Sequence, residues 1–366
     1  MEEIMFKHSL APRILLIGSI LILASLSCQS GSLTGSKPTT YPELPPASAV
    51  PPTSIPAVMP TALVEPTVPT ISTEAAQVTS PPAEPTVAAE TPAVNQPQTC
   101  EQETCMLEGS FLLKRPIGSE GRNTIVYTNR YGEYQSSTKQ ASRGVTFLNS
   151  TGTPVLAAAD GTVVVAGDDS QTPYGPFRDL YGNLVILEHQ LPGYSEPFFT
   201  VYGHLSEIGV EQGQSVKSGD EIGKVGMSGN ATGSSLLFEV RMGENSYNAT
   251  RNPELWLENL PDEAGTLQGV IAGRILDQNG KPVKADNIVL ERLAGAGLPA
   301  IDTFYLKTYG GEALSGLEPW GENFAAGDLP AGDYQITFYV EGKLQQRVVT
   351  VEPGKLTLVT FKIPDG

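Results

Sequence analysis

The sequence predicts an all-β protein: an antiparallel β-sheet domain over residues 99–265, then a β-sandwich over 266–366, both preceded by a disordered Pro/Thr-rich linker. Three observations carry this. From about residue 106, short apolar runs are cut by Gly, Asn and Asp turns, as in Gly182-Asn-Leu-Val-Ile-Leu and Val216-Lys-Ser-Gly-Asp-Glu-Ile-Gly223. From about Thr266, strand-like runs recur at sandwich spacing: Leu267–Leu276, Asn287–Leu293, Tyr334–Val340, Arg347–Val351 and Leu356–Ile363. The 30 prolines of the 366-residue chain cluster early. There Pro, Thr, Ala, Ser and Val offer too little apolar surface to fold.

The elements follow in chain order. Lys7 and Arg13 flank the start of an apolar stretch, Ile14–Leu26, too short for the roughly 20 residues that span a bilayer and suited to a signal peptide. It ends Leu26-Ser27-Cys28, which resembles a bacterial lipobox, with Ser25 where Leu is usual. On that reading residues 1–28 are a lipoprotein-type signal peptide, Cys28 carries the lipid, and two or more acyl chains anchor the exported protein to the outer face of a membrane. An ordinary cleaved signal or an uncleaved anchor also places the rest of the chain outside the cytoplasm. Residues 29–98 are the linker, with no Lys or Arg from Pro38 through Leu113. As polyproline II it would reach on the order of 200 Å, as a flexible coil roughly 45 Å. Cys100 and Cys105 are an even pair in an exported chain, so a local disulfide is expected, worth roughly 2 kcal/mol. Asn252–Asn259, with Pro253 early, predicts one short helix. The formal net charge of −17 argues against nucleic acid, whose phosphates want basic patches.

Three segments carry chemistry by what they lack. Residues 141–147 read Ala-Ser-Arg-Gly-Val-Thr-Phe, residues 201–205 Val-Tyr-Gly-His-Leu, and residues 233–240 Gly-Ser-Ser-Leu-Leu-Phe-Glu-Val. Together with Gly152-Thr-Pro-Val-Leu-Ala-Ala-Ala-Asp160-Gly and Gly226-Met-Ser-Gly-Asn230, they resemble the lysostaphin/LytM-type zinc endopeptidases, which cut peptidoglycan cross-bridges. The resemblance runs across about Phe111–Leu260 and implies the duplicated hybrid motif fold. In that family the first motif is H-x-G-x-D and the last H-x-H. The resemblance places the first His at Ser142, the Asp at Thr146, and the two histidines of H-x-H at Ser235 and Leu237. The family's zinc ligands thus fall on Ser142, Thr146 and Leu237. Neutral hydroxyls are poor zinc ligands, and leucine is none. Without zinc, nothing lowers the pKa of a bound water or polarises a scissile carbonyl.

Only His204 is retained, at the position of the family's catalytic, non-ligand histidine. It either donates a hydrogen bond to a bound peptide or is vestigial and satisfied by neighbouring backbone. Tyr202 and Asn183 are expected to line the same groove. His189 and His204 fall on the arms of one hairpin. A turn near Tyr194 sets His189 opposite about Phe199 and His204 opposite about Leu184, roughly 17 Å apart. One metal cannot join them, and Glu239 is common in the family. No metal site and no cofactor is expected, and no Ser/His/Asp set is evident.

The leading expectation is a non-catalytic cell-envelope lipoprotein that binds peptidoglycan or regulates a wall hydrolase, as degenerate members of the family do. An active zinc endopeptidase with non-standard ligands and a purely structural surface module are the alternatives. The C-terminal region adds little about function. Gly269-Val-Ile-Ala-Gly-Arg-Ile-Leu-Asp-Gln-Asn-Gly280 and Asp328-Leu-Pro-Ala-Gly-Asp-Tyr334 resemble transthyretin-like, carboxypeptidase-regulatory-type domains, which are almost silent on activity. Trp320 in its Gly-rich loop is a site for local packing or for stacking on a sugar.

Overall fold

The computed structural model describes residues 100–364, apart from 136–139, 296–297, 310–313, 315 and 317–319. The expected signal peptide, Cys28 and the linker over 29–98 lie outside the described residues. The first strand, β1 (Thr104–Leu107), follows the disulfide that joins Cys100 and Cys105, whose Cα atoms are 5.8 Å apart. Short strands β2 (Tyr134–Gln135), β3 (Gln140–Ala141), β4 (Val145–Leu148) and β5 (Pro154–Leu156) lead into longer β6 (Gly161–Asp168), β7 (Asn183–His189) and β8 (Phe198–Ile208). Then come β9 (Ser215–Val216), β10 (Glu221–Val225), β11 (Ser235–Met242) and β12 (Thr250–Arg251). The main sheet runs β12-β11-β8-β7-β6-β9, with β4 on β11, β10 on β8 and β5 on β10.

Alternation gives this sheet two apolar faces. Val185, Leu187, Tyr202, Phe238 and Val240 enter the main core, while Leu184, Ile186, Val201 and Leu237 meet Leu180 and Tyr181 in a smaller one. In the β7–β8 hairpin His189 stands opposite Phe198, one residue from the expected partner. The register slips between Asn183 and Val185, beside His204.

The expected short helix is a single 3-10 turn, Pro253–Leu255, capped by Asn252, whose side-chain oxygen accepts from the Glu254 N–H at 3.0 Å. It stops because the chain turns to extended pairing: the Glu258 N–H bonds the Leu113 carbonyl at 2.8 Å.

The sandwich comprises β13 (Gly269–Leu276), β14 (Ile288–Leu293), β15 (Ala300–Leu306), β16 (Phe324–Leu329), β17 (Gly332–Val340), β18 (Lys343–Val351) and β19 (Leu356–Lys362). One sheet is β1-β19-β13-β16, with β13 and β19 parallel; the other is β15-β14-β17-β18. Ile271, Ile275, Phe324, Ile336, Phe338 and Phe361 fill the space between them. β1 pairs with β19, so a segment expected in the domain over 99–265 completes the sandwich sheet instead. An outer edge of β19 is capped in this way. The other face of that sheet is also buried. Val270, Ala272, Ala325, Leu356 and Leu358 join the main core with Leu113, Trp256 and Leu257. The second sheet turns only its inner face to the core.

Candidate functional site

The motif strands converge as their spacing requires. β4 lies antiparallel to β11 with Thr146 opposite Leu237, and Gly203 flanks Leu237 from β8. Thr146, Leu237 and the Gly203–His204 corner therefore form one row across three strands. Ser142 sits just before β4, buried, its hydroxyl donating to the Gly144 carbonyl at 2.9 Å. Gly144 allows that turn to lie on the sheet. A Cβ there would fall 2.3 Å from the Phe238 carbonyl oxygen. Ser235 is buried at the start of β11, its hydroxyl donating to the Gly233 carbonyl at 3.1 Å.

His204 has a left-handed backbone, φ 67°, unusual for a residue with a side chain. Its N–H donates to the Tyr181 carbonyl at 2.7 Å, and Nδ1 lies 2.9 Å from the Ser228 carbonyl oxygen. A carbonyl only accepts, so Nδ1 carries the proton and Nε2 the lone pair. Burial holds its pKa below the ordinary 6.5, against smaller opposing effects of the Ser228 and Tyr181 backbone and the Asp169 charge. Asp169, fully buried, accepts from the Tyr181 and Gly182 N–H groups, each at 2.9 Å. Gly182, at φ 63°, packs where a Cβ would meet the Gly229 nitrogen at 2.3 Å. Asn183 stands beside this corner, donating from Nδ2 to the Leu205 carbonyl at 3.1 Å and from its backbone to Ser228 Oγ at 2.9 Å.

Tyr202 is not in the groove. It is fully buried in the main core against Phe238, ring centroids 5.4 Å apart. Its parity with His204 misleads because the left-handed residue breaks the strand's alternation. Its hydroxyl accepts from the Ala158 N–H at 2.8 Å and bonds Thr200 Oγ1 at 3.0 Å, and burial pushes its pKa up to about 12. Thr200 in turn meets His189 Nε2 at 2.7 Å, while His189 Nδ1 donates to the Asp160 carbonyl at 2.8 Å. His189 is thus one link in a satisfied structural chain, and burial lowers its pKa.

Along β11, Leu237, Glu239 and Arg241 share a face. Glu239 and Arg241 are buried and ion-paired at 3.0 Å. The Tyr181 hydroxyl donates to Glu239 at 2.9 Å and accepts from Arg241 at 2.9 Å. Burial, then the Glu239 carboxylate, pushes the Tyr181 hydroxyl well above its ordinary pKa. Arg241 also ties the loop through the Tyr174 carbonyl at 3.1 Å. Sequence reasoning missed Asp169, Tyr181 and Arg241. Only Arg241, two residues beyond Glu239 on the same face, left a readable signal.

Residues 140–249 match the model of Peptidase family M23. This stretch is an M23 peptidase domain. The chain is 36% identical over 104 residues to the cell division protein DipM of Caulobacter vibrioides, covering 28% of this chain and 15% of that protein. It is 31% identical over 110 residues to the murein hydrolase activator NlpD of Escherichia coli, covering 30% and 25% respectively. The lipoprotein NlpD/LppB homolog of Pseudomonas aeruginosa is 35% identical over 106 residues, covering 29% and 31%. The chain thus spans less than a third of the length of these curated relatives. Among solved structures, the catalytic domain of lysostaphin from Staphylococcus simulans is 30% identical, covers 36% of this chain and 88% of that one, and has a TM-score of 0.30.

The zinc implied by the resemblance does not fit the M23 domain's residues. The three positions that the resemblance implies offer a hydroxyl already donating to Gly144, a threonine and a leucine. Among the described residues, no three His, Cys, Asp or Glu side chains are grouped to hold a metal ion.

Proposed function

We propose that this chain is a non-catalytic cell-envelope lipoprotein whose M23 domain regulates a peptidoglycan hydrolase or holds peptidoglycan itself. The pairing of Thr146 with Leu237, beside the Gly203–His204 corner, supports the reading. On this reading the strands that bring ligands together in the family are kept, and the metal-binding side chains are replaced. The names of the relatives support the regulatory version, since one is a murein hydrolase activator and another a lipoprotein. Export through the leader and lipidation at Cys28 belong to the same reading.

Zinc content of the full chain and dye release from labelled peptidoglycan test it together. The expected result is below about a tenth of an equivalent of zinc, no release by the chain alone, and faster release when it is added to a peptidoglycan hydrolase. Chelator-sensitive release by the chain alone would overturn the reading in favour of an active zinc endopeptidase. Neither stimulation nor sedimentation with peptidoglycan would leave a structural module.

A further inference from the structure

The second sandwich sheet ends on β15, and among the described residues one side of that strand has no neighbour in the sheet order β15-β14-β17-β18. Natural edge strands are blunted by shortness, Lys, Pro or bulges. β15 is seven residues long, Ala-Ile-Asp-Thr-Phe-Tyr-Leu, with neither Pro nor Lys. Its one charge, Asp302, is paired with Arg292 at 3.0 Å. The only register irregularity against β14 lies near its start, at Leu293. Ile301 and Tyr305 are 55% and 66% exposed.

A cavity of about 230 Å³ opens beside the same strand. Phe304, Tyr305 and Leu306 of β15, Ala326 of β16, and Tyr127 and Arg130 of the first domain line it. Arg130 is buried. Nη1 is ion-paired with Glu254 and Nη2 donates to the Gly327 carbonyl at 3.3 Å, but its buried Nε–H has no acceptor among the described residues. An unmet buried donor is unfavourable, and an acceptor brought to it would offset that cost. Glu254 already neutralises the guanidinium, so the fitting acceptor is a neutral carbonyl rather than an anion.

We propose that β15 and this cavity dock an extended peptide segment of a partner protein. The segment adds a strand to β15, places an apolar side chain among Phe304, Leu306 and Tyr127, and offers a backbone carbonyl to Arg130. The chain's net charge of −17 favours a segment flanked by Lys or Arg. A sugar ring can stack on Tyr127 and Tyr305 but leaves the strand's N–H and C=O groups unpaired. A second copy pairing edge to edge leaves the cavity unfilled. The partner's identity as a wall hydrolase rests on the regulatory reading. Peptide capture does not, so either can fail alone.

The test uses the full chain and two probes: a phage-displayed library of random linear peptides, and glycan strands stripped of peptide. Selection should enrich Pro-free peptides with an apolar residue and flanking Lys or Arg. The exposed double variant Tyr127→Ala with Tyr305→Ala, which should melt as the parent does, should weaken them about tenfold or more. Bound peptide should slow amide exchange over Asp302–Leu306. The proposal is overturned if enriched peptides bind the double variant equally well. It is also overturned if glycan strands bind while the edge amides stay unchanged, or if edge protection arises only from concentration-dependent self-association.

Discussion

At single positions, the proposed site sets hydroxyls and a leucine where the family resemblance implies metal donors. Gly144 holds the first motif against the Phe238 carbonyl, so Gly144→Ala should cost about 1–3 kcal/mol, read as a lower urea midpoint. An unchanged midpoint would mean the turn is free to move away. The replaced donors can also be restored. Ser142→His, Thr146→Asp and Leu237→His together should bring the full chain to about one equivalent of zinc. No gain would show that Tyr181 and the Glu239–Arg241 pair occupy the room a metal needs. The two buried histidines set a pH dependence. Burial lowers both pKa values below 6.5, so the fold holds each neutral. Their contribution is complete above the unfolded value and is lost as pH falls below about 6.5 toward the folded values. Stability should therefore drop in that window, by at most about 1.4 kcal/mol per pH unit per histidine. A flat urea midpoint between neutral and mildly acid pH would contradict the buried, neutral assignment.

Strand and turn units were legible where pattern and burial coincide. The runs at 267–276, 287–293, 334–340, 347–351 and 356–363 became β13, β14, β17, β18 and β19 with shifted ends. The late turn is anchored by the Tyr334 hydroxyl on the Pro330 carbonyl at 2.8 Å. β15 and β16 left no signal, because β15 alternates on a half-open edge and β16 interrupts its apolar run with Gly327 and Asp328. Tyr202, two residues before His204, faces the main core and not the groove, because the left-handed backbone at His204, invisible in sequence, breaks the strand's alternation there. Trp320 packs locally, under the Arg274 guanidinium at 5.2 Å. The 3-10 turn at Pro253–Leu255 is short, but it aims Trp256 into the core. There the indole meets Phe198 edge-on at 4.7 Å and Tyr194 at 5.1 Å. Trp256→Ala should destabilise by about 3–5 kcal/mol. A loss under about 1 kcal/mol by urea titration would mean that the aromatic cluster collapses over the gap.

Across the whole folded region, the two domains read from sequence share one core, which a composition boundary at 265/266 could not reveal. β1 leaves the first domain to cap β19, and Leu113, Trp256 and Leu257 are covered by Val270, Ala272 and Leu358. Charges seal the same junction. Arg115 and Asp328 pair at 2.5 Å with both side chains buried, and Asp328 itself has φ 56°. Arg130 pairs with Glu254, whose carboxylate also accepts the Gly327 N–H at 2.6 Å. Burial raises the Glu254 pKa, and the Arg130 charge opposes that rise. Tyr131 meets Tyr309 edge-on at 5.0 Å, and Lys307 pairs with Glu133 at 2.6 Å. Removing the sandwich would uncover that apolar surface, strand Arg115 without Asp328, and take from Arg130 and Glu254 their contacts with the Gly327 backbone. A chain ended after residue 265 should therefore lack a cooperative melt and a dispersed amide spectrum, whereas the full chain should melt in a single transition. Arg115→Ala, which leaves Asp328 buried and unpaired, should lower that transition by about 3–5 kcal/mol without splitting it. Two separate transitions in calorimetry, one unmoved by Arg115→Ala, would mean that the M23 domain and the sandwich fold independently and only touch.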